Sequence, residues 1–237
     1  LSTIKKVGYA GVMGGILLMG ANLFFIQAFA NTSIANTLFT LSLIPFITAV
    51  FAFLFLKEKL SLRTFTIMLV ALFGILIMIN EGIKTGDLFG NIMAIGCAFC
   101  FSSFTIVIRK FRNIDMIPTL LISGIIIAVV SFILNSGNLI IPLQDVLLCF
   151  LWGGLLSGFV NSVFIYAARF LNASEVTFFM LLELSLGPFW VWLFLNETIA
   201  LETLFGGIIV MSSVAVYSFI EIYISKINMR KKITLPT

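Results

Sequence analysis

The sequence predicts an all-α membrane protein, a polytopic bundle of helices arranged as inverted repeats. Three observations carry this. The 237 residues are 61 % hydrophobic and 10 % charged, with a mean hydropathy of +1.19, far outside the usual range for soluble domains. They divide into apolar runs, each near the ~20 residues needed to cross about 30 Å of hydrocarbon. The beginning of the chain also matches its end at one fixed spacing.

Eight spans are expected in order: Val7–Ala30, Ile34–Leu56, Leu62–Ile79, Leu88–Ile108, Ile117–Leu134, Val146–Ala168, Ala173–Leu195 and Thr203–Tyr223. Short connections make consecutive helices antiparallel neighbours. With the N-terminus inside, thirteen of the fourteen basic residues fall on the inner side, among them Lys57, Arg63, Lys110, Arg169 and Lys231, and only Lys84 falls outside. A missed or false span would scramble that split, so the positive-inside bias supports both the count and two cytoplasmic termini.

The sixth expected span carries Gly154 and Gly158 four apart, as the first carries Gly11 and Gly15. Such pairs let helix backbones approach closely, for packing or for sliding.

Composition also excludes functions. The chain has no histidine, which removes Ser-His and Cys-His nucleophiles and imidazole metal sites. Asp87, Asp115 and Asp145 all lie between apolar runs, which rules out a buried aspartyl pair, and no phosphate-binding G-x-x-x-x-G-K-[ST] loop occurs. Cys97, Cys100 and Cys149 lie inside apolar runs and read as packing residues. The net charge of +4 follows the membrane and is no nucleic-acid signal. No enzyme, cofactor or metal is therefore expected. The expected partners are a small-molecule solute and the lipid bilayer, with a homodimer allowed.

The most informative stretch runs from Asn172 to Leu201, where Glu183 interrupts an apolar run long enough to cross a bilayer. A carboxylate at that depth costs roughly 2.5–3.5 kcal/mol even on the lenient insertion scale, so it is normally kept where it faces a bundle interior or a wet cavity. Pro188 opens the same helix, because it cannot donate to the carbonyl of Leu184. Glu183 reads either as a functional acid or as a protonated structural carboxyl hydrogen-bonded within the bundle.

A shift of 139 positions, without gaps, lays the first three spans on the last three. Gly14-Gly15 falls on Gly153-Gly154, Asn22 on Asn161, Phe25-Ile26 on Phe164-Ile165, Gln27 on Tyr166, Leu54-Phe55-Leu56 on Leu193-Phe194-Leu195 and Glu58 on Glu197. Partner helices stand five apart, and an odd separation makes them cross in opposite directions, which is the inverted-topology repeat of secondary transporters. The unit is five helices, of which the first copy shows three, so eight spans are present of an expected ten and two more are expected before Leu1.

The run Ala35-Asn36-Thr37-Leu38-Phe39, then Pro45, then Phe53 to Ser61 resembles the EamA-type repeat of the drug/metabolite transporter superfamily. The second copy is similar, with Ala173-Ser174-Glu175, Glu183 and Leu193-Phe194-Leu195-Asn196-Glu197. The resemblance implies a ten-helix permease that moves small organic solutes without ATP hydrolysis, in a bacterial cytoplasmic (inner) membrane. Residues 1–80 would then be the last three helices of the first repeat, 88–224 the complete second repeat and 225–237 a basic cytoplasmic tail. The sequence departs from the family pattern in the two absent helices and in Leu184, which stands where a proline often follows the glutamate.

Six residues are candidates for binding the solute. Asn22 and Asn161 must satisfy side-chain amides away from water, so they either line a cavity or join helices. Gln27 and Tyr166 lie near the same level and tilt the reading toward a pocket. Glu183 is the candidate acid, and Trp190 is either a stacking surface or part of an interfacial belt. The leading function is a secondary transporter working by alternating access, with a non-transporting membrane scaffold or partner subunit as the alternative. A membrane enzyme acting on lipids lacks the carboxylate cluster or metal spacing it would need.

Overall fold

The computed structural model describes residues 2–57, 62–85, 87–134, 142–168, 193–194 and 200–234. All regular structure among them is helical: α1 (Ser2–Asn31), α2 (Ile34–Leu41), α3 (Ile44–Leu56), α4 (Leu62–Thr85), α5 (Leu88–Lys110), α6 (Pro118–Leu134), α7 (Leu143–Cys149), a π-helical stretch (Phe150–Ser157), α8 (Gly158–Ala168) and α9 (Leu201–Thr234). Five stretches are long and apolar enough to cross a membrane, namely Val7–Asn31, Ile34–Leu56, Leu88–Lys110, Leu143–Ala167 and Leu201–Ile220. Shorter apolar stretches, Phe65–Met78 within α4 and Pro118–Ile133 within α6, lie at two further expected spans. The expected span over 173–195 lies outside the described residues except for Leu193 and Phe194, which are helical.

The helices differ from the expected spans in several places, three of them with a plain backbone cause. α1 begins before Val7 and kinks at Gly8, whose φ of 51° and ψ of −139° suit a residue without a Cβ. The second span breaks after Leu41, because Pro45 has no N–H to offer the Leu41 carbonyl. The sixth widens into the π stretch around the adjacent glycines Gly153 and Gly154. The basic segment expected as a tail continues the helix of α9 as far as Thr234.

Glycine contacts set the packing. α1 and α5 run antiparallel along their length. A Cβ on Gly14 would sit 3.5 Å from Phe104, one on Gly20 3.1 Å from Cys100 Sγ, one on Gly96 3.2 Å from Phe24, and one on Gly90 2.5 Å from the Asn31 carbonyl oxygen. α6 lies on another side of α1, where Thr119 and Ile122 fill the space beside Gly14 and Gly15. Val7, Ala10, Leu18, Phe104, Val107, Ile108 and Met116 form the buried cluster of this group, which Ile165 of α8 joins.

α4 and α9 make the second group. Their backbones meet at Gly74 and Gly206, where a Cβ on either would fall 2.6–2.7 Å from the other's carbonyl oxygen. The buried residues are Ala71, Ile75 and Met78 on α4 and Val210, Val214 and Tyr217 on α9. Adding 139 to 71, 75 and 78 gives 210, 214 and 217, so the sequence register pairs positions that are buried in both helices.

α2 and α3 lie between the groups and run parallel to α9. Phe39 packs on Gly207, Ser42 Oγ stands 3.4 Å from Met211 Sδ, and the rings of Phe46 and Tyr217 are 5.6 Å apart. Since Ile165 packs near the end of α5 and Gly207 near the start of α2, α8 ends at one end of the bundle and α9 begins at the other.

Candidate functional site

The break in the second span sits where four helices meet. Ser42 N–H donates to the carbonyls of Leu38 and Phe39 at 3.2 and 3.1 Å, Leu43 N–H to Thr40, and Phe46 and Ile47 N–H to Leu43. These bonds close one helix and start the next, and the Leu41 carbonyl faces Pro45, which has no N–H to donate. Leu41, Ser42 and Ile44 are all buried. In hydrocarbon a backbone group must find its partner within the protein. Across the break, the fully buried Ser102 hydroxyl of α5 donates to the carbonyl of Ile44, the first residue of α3, at 3.1 Å. Ala21 of α1 and Cys97 and Ala98 of α5 complete the buried wall, with Phe24, Phe25, Phe101 and Met211 packed around it.

A second polar cluster lies where α1 turns into α2. Asn36 Nδ2 donates to Asn91 Oδ1 at 2.5 Å and stands 3.1 Å from Thr32 Oγ1, and the Thr32 hydroxyl donates to Asn91 Oδ1 at 3.2 Å. Both asparagines are 2 % exposed. Asn36 Oδ1 and Asn91 Nδ2 nonetheless have no hydrogen-bond partner among the described residues. The cluster ties the first repeat to α5 of the second.

The six candidates from sequence fare differently. Asn22 is half-buried and its Nδ2 donates to the Leu18 carbonyl at 2.9 Å. Asn161 makes the same bond one repeat later, Nδ2 to the Ser157 carbonyl at 2.8 Å. Each amide is thus satisfied in part by its own helix, four residues back. Gln27 is exposed and accepts from Asn31 Nδ2 through its carbonyl at 2.7 Å. Tyr166 is exposed on α8. Glu183 and Trp190 lie outside the described residues. Ser42, Ser102, Asn91 and Asn36 were not marked as site residues. The signal for Ser42 is Pro45, whose missing N–H ends α2 there.

The match to a family model decides the identity. It covers residues 1–80 and 88–219, under the description EamA-like transporter family. The chain belongs to the EamA-like transporter family. No curated protein matches it. Four chains of solved structures are similar. One, described only as "Crystal structure of protein", is 16 % identical with a TM-score of 0.59, over 93 % of this chain and 79 % of that one. That likeness concerns the fold alone. As an EamA-like chain, this is an integral membrane protein of a family that carries small solutes across the membrane.

Proposed function

We propose that this EamA-like chain is a secondary transporter that moves a small organic metabolite by alternating access between two inverted repeats, in a cytoplasmic membrane with both termini inside. The observation that carries the reading is the broken second span at the centre of the bundle, since interrupted helices near the midplane are where transporters of this construction hold their substrates. The 139-residue register places Glu183 opposite Ile44, the residue whose carbonyl takes the Ser102 hydroxyl. A helix break in one repeat is thus matched by an acid in the other. The paired burial along α4 and α9 supports the same two-fold relation.

In this reading Glu183 is the coupling or cation-binding acid. In that role it would take up and release a proton or cation as the protein passes between its two access states. Asn22, Asn161, Gln27, Tyr166 and Trp190 are the accompanying contacts. Uptake into lipid vesicles by a transport-competent version of the protein, with Glu183→Gln beside it, tests this. The amide keeps the volume and removes the titration, so the variant should lose most of its uptake and its pH dependence. Wild-type rate and pH dependence in the variant would make the acid structural, and no uptake of any metabolite by the unaltered protein would favour a scaffold.

A further inference from the structure

α2 is a half-helix with a break at each end. It starts at the Thr32-Ser33 corner, where Ser33 Oγ accepts from the Asn36 N–H at 3.1 Å. It stops at Ser42, short of Pro45. A side chain of α5 holds its first turn, where Asn91 takes the Asn36 amide, and past its other end Ser102 of α5 bonds the carbonyl of Ile44, the first residue of α3. Between them, Phe39 rests on Gly207 of α9, where no side chain stands in its way.

The hold at the corner is half satisfied. Two side-chain amides can exchange two hydrogen bonds, but Asn36 and Asn91 exchange one, and the remaining Asn36 Oδ1 and Asn91 Nδ2 are buried without partners among the described residues. An unpaired buried donor or acceptor offsets much of what the bond beside it contributes. Drawing α2 off α5 would break one amide bond and let water reach both orphaned atoms. The closed position is therefore held weakly at this end.

We propose that α2 is a hinged gate, latched on α5 by Asn91, which swings at Ser42–Leu43 while Ser102 pins the Ile44 carbonyl of α3 beyond the hinge, and opens the centre of the bundle toward the end where α1 turns into α2. The inference rests on the transporter reading for its purpose. Its structural content is independent of any solute. The hinge is local, since the tight glycine contacts along α1 and α5 keep those two helices together as the wall against which the gate closes.

A native thiol reports the motion. Cys97 is buried in the cluster that contains Leu41 and Ile44, the residues on either side of the break. The full chain is placed in lipid vesicles with Cys100→Ser and Cys149→Ser, and a membrane-impermeant thiosulfonate is applied to each side in turn. Asn91→Ala should raise the Cys97 labelling rate about three- to thirty-fold, the range set by the loss of one interhelical polar contact in a membrane, and Ser102→Ala, which loosens α3 and not the gate, should raise it less. The increase should occur only from the side of the α1–α2 corner. A rise of less than threefold in Asn91→Ala, an equal or larger rise in Ser102→Ala, or an equal rise from both sides, overturns the gate. Labelling needs no transported solute, so a failed uptake assay would sink the transporter reading without touching this result, and unchanged labelling with intact uptake would sink the gate alone.

Discussion

α1 and its repeat counterpart, the stretch from α7 through α8, carry the same residues into different surroundings. In α1, the space a Cβ would take on Gly15 is occupied by Ile122 at 2.7 Å and the Ser123 backbone nitrogen at 3.3 Å. Among the described residues nothing lies within 4 Å of a Cβ on Gly153, and one on Gly154 meets Phe150 of its own helix alone. Across their apolar windows, 28 % of the α1 residues are buried and 0 % of the counterpart's. Asn22 and Asn161 nevertheless make the same bond to the carbonyl four residues back. Chemistry within one helix repeats with the sequence, whereas burial follows the neighbour. α1 has α5 and α6 beside it, and the glycine face of its counterpart has no equivalent pair among the described residues. There the glycines sit in a π-helical turn instead of a regular one.

The largest expected effect probes the glycines directly. Gly15→Leu should destabilise the protein by about 3 kcal/mol, the upper part of the range for overpacking, because the obstacle includes α6 backbone. Gly154→Leu should change stability by no more than about 0.5 kcal/mol. Unfolding curves in mild detergent and in lipid vesicles would measure both. An equal cost for Gly154→Leu in vesicles would break the comparison, by showing that the glycine face of the sixth span is covered in the membrane.

A region where both repeat copies are buried should behave differently. Ile75→Ala and Val214→Ala, on register-related positions of α4 and α9, should both destabilise. For the isoleucine about 2 kcal/mol is expected, near the low end for such truncations, because lipid tails and not water solvate the exposed helices. Leu156→Ala on the exposed face should have little effect in the same measurement. If Ile75→Ala were neutral while Val214→Ala was costly, the α4–α9 symmetry would not extend to energetics.

The smallest effects belong to the asparagines. Asn22→Ala and Asn161→Ala each remove one bond within a helix, so each should change stability by less than about 1 kcal/mol and the two should agree. A much larger loss of uptake than of stability for either one would place that amide against the solute.

Much of the architecture was legible in the sequence because it depends on composition and spacing. Pro45 could have pointed to the broken span, since a missing N–H is written into the residue type. Asn91 could not be recognised in the same way. It stands near the start of an apolar run, where a polar residue reads as a membrane boundary, and only the approach of Gly90 to the Asn31 carbonyl brings it against Asn36. Asn22 and Asn161 drew attention as isolated amides in apolar helices, yet part of their need is met locally by their own backbones.

The sequence by itself determined the class of the molecule, its helical spans and the 139-residue register, because hydrocarbon thickness, positive-inside bias and backbone satisfaction in lipid act on each segment separately. Tertiary structure alone decided which members of each matched pair are buried and where polar groups meet across helices. Those outcomes depend on which helix lies alongside, and identical residues such as Gly15 and Gly154 carry no record of their neighbours.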